Sequence, residues 1–454
     1  MKCNLTKILF VNVVDEFRKR RMERDISNLG TGYLASYLQK YGSFNDITIV
    51  EAGQNLDSKI LADVAIVGIS TVTQNFNIAK QVASKVRAHT NALVMVGGHH
   101  ITALPNNLTE DMDVAVLGEG EQTALEIVQG QNFSKIRGIA YREDGKLKVT
   151  PKRELIKPLD KIPFPARDLM RLGSHHIISM YSSRGCPYRC VFCSSAHFWH
   201  STRFFSADYV ISEVSEILAK YCPKQINFSD DLFIADLKRL RKIAGKIRAK
   251  GFNREIEFRC NVRANLVNDE VASLLKSINV QKVNMGAESG SNRVLQYLKG
   301  NSVTVEQNEK AIHTLKKHGL NVNASFIIGS PTETRKDIMQ TYKFIERSNL
   351  DGGQTFVMLP LPGTAVWEYG VQRGWLNDFM DWNNFEFYFE DNENRVVASD
   401  LLTREELLEI LFKFKKLWRK RRRAYLLKQA FKHPRRILPY ICRCLRDGFK
   451  DEDF

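Results

Sequence analysis

The chain has 454 residues, 43% hydrophobic and 26% charged, which places it among globular proteins long enough for two or three domains. No run approaches the roughly 20 apolar residues of a membrane span, and nothing near Met1 has the pattern of a signal peptide. Eight unevenly spaced cysteines do not make a disulfide scaffold, so the expected compartment is a reducing cytoplasm.

The first part alternates short apolar runs with helical periodicity. Strands are predicted at Ile8–Val13, Ile47–Glu51, Val64–Ser70, Ala92–Gly97 and Val114–Leu117, with helices such as Gly32–Tyr41 and Ile78–His89 between them. This pattern is a doubly wound, Rossmann-like α/β sheet, whose ligands bind beyond the carboxyl ends of the strands. The loops there are Ser70–Phe76, Gly97–Thr102 and Gly118–Glu121. The first domain is expected to span residues 1–134.

Residues 135–173 read as a linker with little core of its own. It holds a hairpin around Asp144-Gly145 and the proline-punctuated stretch Lys161–Pro165. A second series then begins, with strands at Ile177–Ser182, Gln225–Ser229, Glu255–Cys260, Gln281–Gly286, Val322–Ile328 and Gln354–Leu359. Helices such as Asp208–Tyr221, Asp236–Lys250, Val305–His318 and Lys336–Glu346 separate them. Six β/α units in order predict a partial (β/α)6 barrel over 174–398, with its chemistry on the loops that follow the strands. From 399 to 454 the chain is a basic helical tail, in which Thr403 and Glu406 form a capping box.

The most informative motif is Ser183-Arg184-Gly185-Cys186-Pro187-Tyr188-Arg189-Cys190-Val191-Phe192-Cys193, just after the first strand of the second series. Three thiolates at C-x3-C-x2-C spacing can reach three irons of one cubane and leave the fourth iron open to a small chelator. A structural zinc site is the alternative, but zinc prefers four ligands in paired C-x2-C form.

On these residues the chain resembles the radical S-adenosylmethionine (SAM) superfamily. The resemblance implies a 4Fe-4S cluster on Cys186, Cys190 and Cys193, whose open iron binds SAM and whose electron cleaves it to a radical. Later strand ends agree in order with the family. Phe228-Ser229-Asp230-Asp231 lies where the family receives the SAM amino group, in the Asp-Asp form of its cobalamin-linked branch. Arg259 and Arg263 follow the third strand. Gly286-Ala287-Glu288-Ser289-Gly290 lies where members contact the SAM carboxylate or ribose. Gly329, in Phe326–Glu333, lies next to the family's adenine position, and Pro360–Thr364 ends the sixth strand. The resemblance covers Ile177 to Tyr369.

The first domain resembles the cobalamin-binding domain fused to that branch, through Gly68-Ile69-Ser70-Thr71, Gly97-Gly98-His99-His100 and Gly118-Glu119-Gly120-Glu121. Small residues let a flat macrocycle approach the backbone, and the Ser70 and Thr71 hydroxyls are candidates for its polar edge. His100 is a candidate contact, with a polar turn as the alternative for both histidines. No Asp-x-His-x-x-Gly motif supplies an axial histidine. The methylthiotransferase branch is set aside, because its first domain carries cluster cysteines and only Cys3 lies here. Cys222, Cys260, Cys442 and Cys444 read as ordinary thiols, and His175-His176 as residues without a chemical role. His197 and His200, just after the cluster cysteines, shape a substrate pocket or simply pack.

The net charge of +16 is concentrated in the tail, where Phe412–Leu427 interleaves apolar residues with cations at helical spacing. Pro434–Tyr440 continues that character. Such helices bind anionic membranes, and a helix packed on the barrel is the alternative. Similar tails in family members acting on membrane lipids tilt the expected substrate toward a lipid or lipid-linked molecule. The function implied by the resemblance is methylation of an unactivated carbon. One SAM methylates cobalamin, and a second generates the radical. Cyclisation, oxidation or rearrangement with the same cofactors is the alternative enzyme class. A cluster-carrying sensor that binds nucleic acid is the non-enzymatic one. The expected partners are a small-molecule or lipid substrate and an electron donor such as flavodoxin or ferredoxin, with peripheral membrane contact through the tail and no nucleic acid.

Overall fold

A computed structural model describes residues 6–14, 28–53, 55–170, 172 and 177–432, without the side chains of 391 and 428–432. Cys3, His175, His176, Cys442, Cys444 and the segment from Pro434 lie outside the described residues. The chain divides into two compact units. The first is Met1–Cys260 with Leu359–Glu386 and Asn392–Val396; the second is Asn261–Met358 with Phe387–Asp391 and Val397–Phe454.

In the first unit, strands β1 (Ile8–Val13), β2 (Ile47–Ala52), β3 (Ile66–Ser70), β4 (Leu93–Gly97) and β5 (Val114–Val116) run parallel in the order β2-β1-β3-β4-β5. Every residue of β1 is buried, as a strand covered on both faces requires. Side-chain alternation divides β1 between two cores. Ile8 and Phe10 pack with Leu38 of helix α1 (Leu29–Gly42), while Leu9 and Val11 pack with Val82 and Val86 of helix α2 (Phe76–His89).

Two expectations about this unit are corrected. The hairpin assigned to a linker forms strands β6 (Ile139–Glu143) and β7 (Lys146–Val149), and β6 pairs antiparallel with β5 to extend the sheet. Ile139 and Ala140 are fully buried, so this segment does contribute core. The second correction concerns the segment after the last barrel strand. Leu359, Trp367, Leu376, Trp382 and Phe385 are buried in the same cluster as Val11, Val67 and Phe76. Hydrogen bonds from Asn77 Nδ2 to Asp381 Oδ1 (2.7 Å) and from Asn107 Nδ2 to the Asp378 carbonyl (2.6 Å) fix it there.

The second series follows in chain order. β8 (Ile177–Met180), β11 (Gln225–Phe228) and the start of β12 (Glu257–Val262) are parallel in the first unit. Between β8 and β11 come a short antiparallel pair, β9 (Ser183–Arg184) with β10 (Arg203–Phe204), and helices α3 (Ser194–Trp199) and α4 (Ala207–Tyr221). In the second unit β13 (Val280–Glu288), β14 (Asn321–Ile328) and β15 (Gly352–Val357) are parallel. The α/β class and the six successive β/α units are those expected from the sequence.

The tail is helix α5 (Arg404–Lys432), begun by the Thr403–Glu406 capping box: the Glu406 amide donates to Thr403 Oγ1 and the Thr403 amide to Glu406 Oε2. Its apolar side chains pack within the second unit. Leu407, Ile410, Phe414, Leu417, Trp418 and Leu426 are buried. Trp418 Nε1 donates to Thr355 Oγ1 at 3.0 Å, and a Cβ on Gly353 would meet the Trp418 ring at 2.6 Å. Arg421 donates to the carbonyls of Ile345, Ser348 and Leu350, around the end of helix Arg335–Arg347. The membrane reading of Phe414, Trp418 and Leu426 is therefore corrected: a packed and a lipid-facing amphipathic helix share one pattern, and here a strand covers the apolar side. Of Phe412, Phe414, Trp418 and Leu426, the apolar residues placed to insert at an interface, Phe412 alone is exposed, at 53%. Trp418→Ala is expected to destabilise the protein by ~3–5 kcal/mol, as a large-to-small core change does, measured by chemical denaturation. Unchanged stability would mean that α5 does not depend on this contact.

Candidate functional site

The cluster loop leaves β8 through a turn held by one carboxylate. Asp230, fully buried at the end of β11, accepts from the Ser182 amide (2.7 Å) and Oγ (2.5 Å) and from the Ser183 amide (2.6 Å) and Oγ (2.9 Å). Asp230 thus anchors the segment that presents the cysteines, with both carboxylate oxygens taken up by Ser182 and Ser183. Its neighbour Asp231 instead faces a cavity beside Cys193 and accepts from Ser195 Oγ at 2.5 Å.

Cys186, Cys190 and Cys193 are all partly exposed on this one loop, and the Cys193 amide donates to the Cys190 carbonyl at 3.1 Å. Burial pushes the Cys193 thiol up to about 11, and binding to iron would deprotonate it. Among the described residues no three His, Cys, Asp or Glu side chains converge on a single-ion site. Thiolates of a cubane each take a different iron and so stand farther apart than the ligands of one ion. Three half-buried thiols in one loop fit that group.

The cavity encloses about 560 Å³. One side is the ends of β3, β4 and β5, with Ser70, Thr71, Gly97, Gly98, His99, Gly118, Glu119 and Gly120; the other carries Cys193, Ser195, Phe198, Trp199 and Asp231. Two glycines have steric reasons to be there. Gly98 has φ +112, and a Cβ on it would stand 2.1 Å from the Thr71 carbonyl oxygen. Gly118 has φ +78, a backbone conformation that strains any other residue, and open space lies where its Cβ would stand. This cradle fits a flat macrocycle. Of the two candidate hydroxyls, Ser70 Oγ accepts from Asn28 Nδ2 at 3.2 Å, and Thr71 Oγ1 donates to Asn75 Oδ1 at 2.8 Å.

His100 is corrected outright. It lies outside the cavity, fully buried, with Nδ1 at 3.2 Å from Thr73 Oγ1 and Nε2 at 3.0 Å from Asn107 Oδ1. Its ring packs at a tilt against Phe76 at 3.9 Å and meets the edge of Trp382 at 4.5 Å, and burial drives its pKa down to about 4. It is a satisfied core histidine. His99 instead lines the cavity, 4.3 Å from the Phe198 ring, and burial lowers it to about 4 as well.

Glu119 lines the cavity, but its carboxylate is spent within the protein. It accepts from Arg184 Nη1 (2.8 Å), Arg203 Nη2 (2.8 Å) and the Ile156 amide (2.7 Å). Burial alone would raise its pKa, and the Arg184 and Arg203 guanidinium groups more than offset that and hold it low.

Arg263, Glu288, Ser289 and Gly329 belong to the second unit. Arg263 Nη2 donates to Ser302 Oγ at 2.6 Å, and Glu288, at φ +62, pairs with Lys299 at 3.1 Å. Ser289 is fully enclosed with its hydroxyl 3.0 Å from Thr341 Oγ1, which makes it a packing residue rather than a ligand contact. Gly329, at φ +73, is backed by Leu407 of α5. Cavity residues that sequence reasoning missed include Asn28, Tyr33, Tyr181, Phe198 and Trp199. The one usable signal was position, since Tyr181, Phe198 and Trp199 flank the cysteine motif.

Comparison with known proteins agrees with this geometry. Residues 180–345 match the Radical SAM superfamily, and residues 19–128 match the B12 binding domain. An uncharacterized methyltransferase of Pyrococcus horikoshii is 34% identical over 378 residues, covering 79% of this chain and 81% of its own. The cytidylyl-2-hydroxyethylphosphonate methyltransferase of Streptomyces wedmorensis is 24% identical over 92% of this chain and 91% of its own. Among solved structures, the cobalamin-dependent SAM radical enzyme OxsB, with aqua-cobalamin and SAM bound, shares the fold at a TM-score of 0.64 and 22% identity. That likeness covers 76% of this chain, which spans about half (52%) of the OxsB chain. The radical SAM methyltransferase TsrM of Kitasatospora setae, with cobalamin and a 4Fe-4S cluster bound, shares the fold at a TM-score of 0.66 and 15% identity. A 4Fe-4S cluster, SAM and cobalamin are thus the cofactors of this two-domain arrangement. The chain belongs to the radical SAM superfamily, in the branch that carries a B12 binding domain ahead of the radical SAM domain.

Proposed function

We propose that the protein is a cobalamin-dependent radical SAM methyltransferase acting on an unactivated carbon of a small molecule. The carrying observation is the single cavity bounded by glycine-rich strand ends on one side and by Cys193, Ser195 and Asp231 on the other. In this reading residues 1–134 receive cobalamin, 174–398 form the radical SAM barrel, and Cys186, Cys190 and Cys193 hold the cluster. When bound, the cluster supplies the electron that cleaves SAM, and cobalamin carries the methyl group. Asp231, beside Cys193, accepts the SAM ammonium, with Ser195 holding the carboxylate in place. The backbones at Gly97, Gly98, Gly118 and Gly120 admit the macrocycle, and Ser70 offers its hydroxyl to the polar edge. Tyr33, Tyr181, Phe198 and Trp199 make the wall apolar and limit water around the reacting groups.

An external one-electron donor such as flavodoxin or ferredoxin, in a reducing cytoplasm, completes the system. With Phe414, Trp418 and Leu426 packed inside the second unit, a lipid substrate and peripheral membrane contact are supported, among the described residues, by Phe412, Leu427 and the exposed cations of α5. No described helix is long and apolar enough to cross a membrane.

The test is anaerobic incubation of reconstituted protein with SAM, cobalamin, a reductant and a metabolite extract, followed by mass spectrometry. A substrate that gains one CH2, with deuterium from methyl-labelled SAM, is expected. 5′-Deoxyadenosine formation with a product of unchanged carbon count would replace methyl transfer by cyclisation, oxidation or rearrangement.

A further inference from the structure

Arg184 immediately precedes Gly185-Cys186 of the cluster loop, and its guanidinium is held by two carboxylates of the first domain. Nη1 donates to Glu119 Oε1 at 2.8 Å and Nη2 to Glu121 Oε1 at 2.6 Å. Glu119 lies in the loop after β5, whose Gly118 and Gly120 line the cavity, and Glu121 is the first residue of the helix Glu121–Val128 that follows it. Arg203, the residue opposite Arg184 in the β9–β10 pair, donates to both oxygens of Glu119 and to the Ile156 carbonyl at 2.8 Å. Trp199, the last residue of α3, lies over both cations, 5.4 Å from Arg184 and 5.6 Å from Arg203, and Tyr33 covers Arg184 at 4.9 Å. All four charged residues are at most 7% exposed, and the two cations balance the two carboxylates.

We infer that Arg184, Arg203, Glu119 and Glu121 form a strut that sets the distance and orientation of the cobalamin cavity relative to the cluster loop, and that they are positioning residues for methyl transfer. The inference rests on the function proposed above.

The physical case has three parts. Arg203 grips both oxygens of Glu119, and Arg184 bridges Glu119 and Glu121. Such charge-assisted bonds from a planar guanidinium fix angle as well as distance, which a flexible apolar contact does not. The network joins the β5 loop to β9, two residues before the first cluster thiolate, with no mobile linker between. Reactions between held groups also lose about 100-fold for a displacement of roughly 1 Å, so a tie this close to both sites governs rate without touching substrate.

Neutralising a single member would leave a buried charge unpaired and endanger folding. The test variant is therefore the charge-balanced double substitution Arg184→Met/Glu121→Leu, which keeps the Arg203–Glu119 pair. Apolar replacement of a whole buried pair is commonly tolerated. Arg203→Lys, which keeps its charge but loses the fork, is the second variant. Iron content, cobalamin content and thermal unfolding are measured first. Dipolar electron paramagnetic resonance then reads the separation between the reduced cluster and cob(II)alamin, independently of turnover. The unsubstituted protein is expected to give one narrow distance. The double variant, with both cofactors at normal content, is expected to give a distribution at least twice as broad, and about a tenfold lower ratio of methylated product to 5′-deoxyadenosine. Arg203→Lys is expected to shift both in the same direction by less, and it decides alone if the double variant does not fold. An unchanged distance distribution and ratio in a loaded, folded variant overturns the strut and leaves the methyltransferase reading standing. An unsubstituted protein that takes up no cobalamin overturns both.

Discussion

Cys190→Ala protein is expected to lose the visible absorption of its iron–sulfur cluster and, with it, all SAM cleavage; Cys186→Ala and Cys193→Ala should behave alike. The effect is all-or-none because three thiolates serve three irons and the described structure offers no substitute. Cys222 is exposed at the end of α4, with its Sγ 3.5 Å from the Leu218 carbonyl. Cys260 is fully buried in β12, where burial drives its thiol well above the ordinary range and disfavours the thiolate that iron needs. Cys222→Ala should therefore keep cluster and activity, and Cys260→Ala should keep the cluster at a cost of about 1 kcal/mol for the small void. Iron and sulfide content, the absorption spectrum and 5′-deoxyadenosine formation by the three loop variants decide the matter. A loaded and active Cys190→Ala protein would remove the basis for the cluster and SAM assignments made above.

Local pattern carried much of this protein's organisation, and non-local pairing carried the rest. β1 is legible because a strand buried on both faces reads as a nearly continuous apolar run, as Ile8–Val11 and Val13 do. The cluster loop is legible because its three ligands lie within eight residues, Cys186 to Cys193. The Glu119–Arg184 pair is not, since 65 residues separate its partners and no periodicity links them. Asp230 and Asp231 show the same limit at single-residue scale. Adjacent carboxylates with identical chemistry take opposite roles, because the strand end turns one toward the Ser182 and Ser183 amides and the other toward the cavity. His100 was ambiguous for a related reason: an adjacent pair of histidines after a glycine pair does not say which ring enters the core. Here His100 does, and His99 faces the cavity. Helix α5 was ambiguous because its pattern does not say what covers its apolar side.

A chain cut to begin at residue 135 is expected not to fold into an independent barrel, although two separate strand series in the sequence invite that cut. The reason lies in the segment after β15. Trp367, Leu376, Trp382 and Phe385 are no more than 3% exposed, and the cluster that covers them includes Leu9, Val11, Val67, Phe76 and Val82. Removing the first sheet bares these four side chains. At ~1.5–3 kcal/mol for each large apolar side chain, the loss is about 6–12 kcal/mol. The whole stability of an ordinary domain is about 5–15 kcal/mol, so the remainder has little left to hold it. The truncated protein should keep helical far-ultraviolet circular dichroism but lose the near-ultraviolet signal, bind an apolar dye, and unfold without a sharp transition. Its iron content after reconstitution should be well below one cluster per chain, even though all three cysteines remain. Within the full chain, Trp382→Ala isolates the same contact: it should cost ~3–5 kcal/mol and leave a cooperative transition at lower denaturant. A truncated protein with a sharp transition and a full cluster would show that the post-barrel segment finds other cover, and that the two strand series fold apart after all.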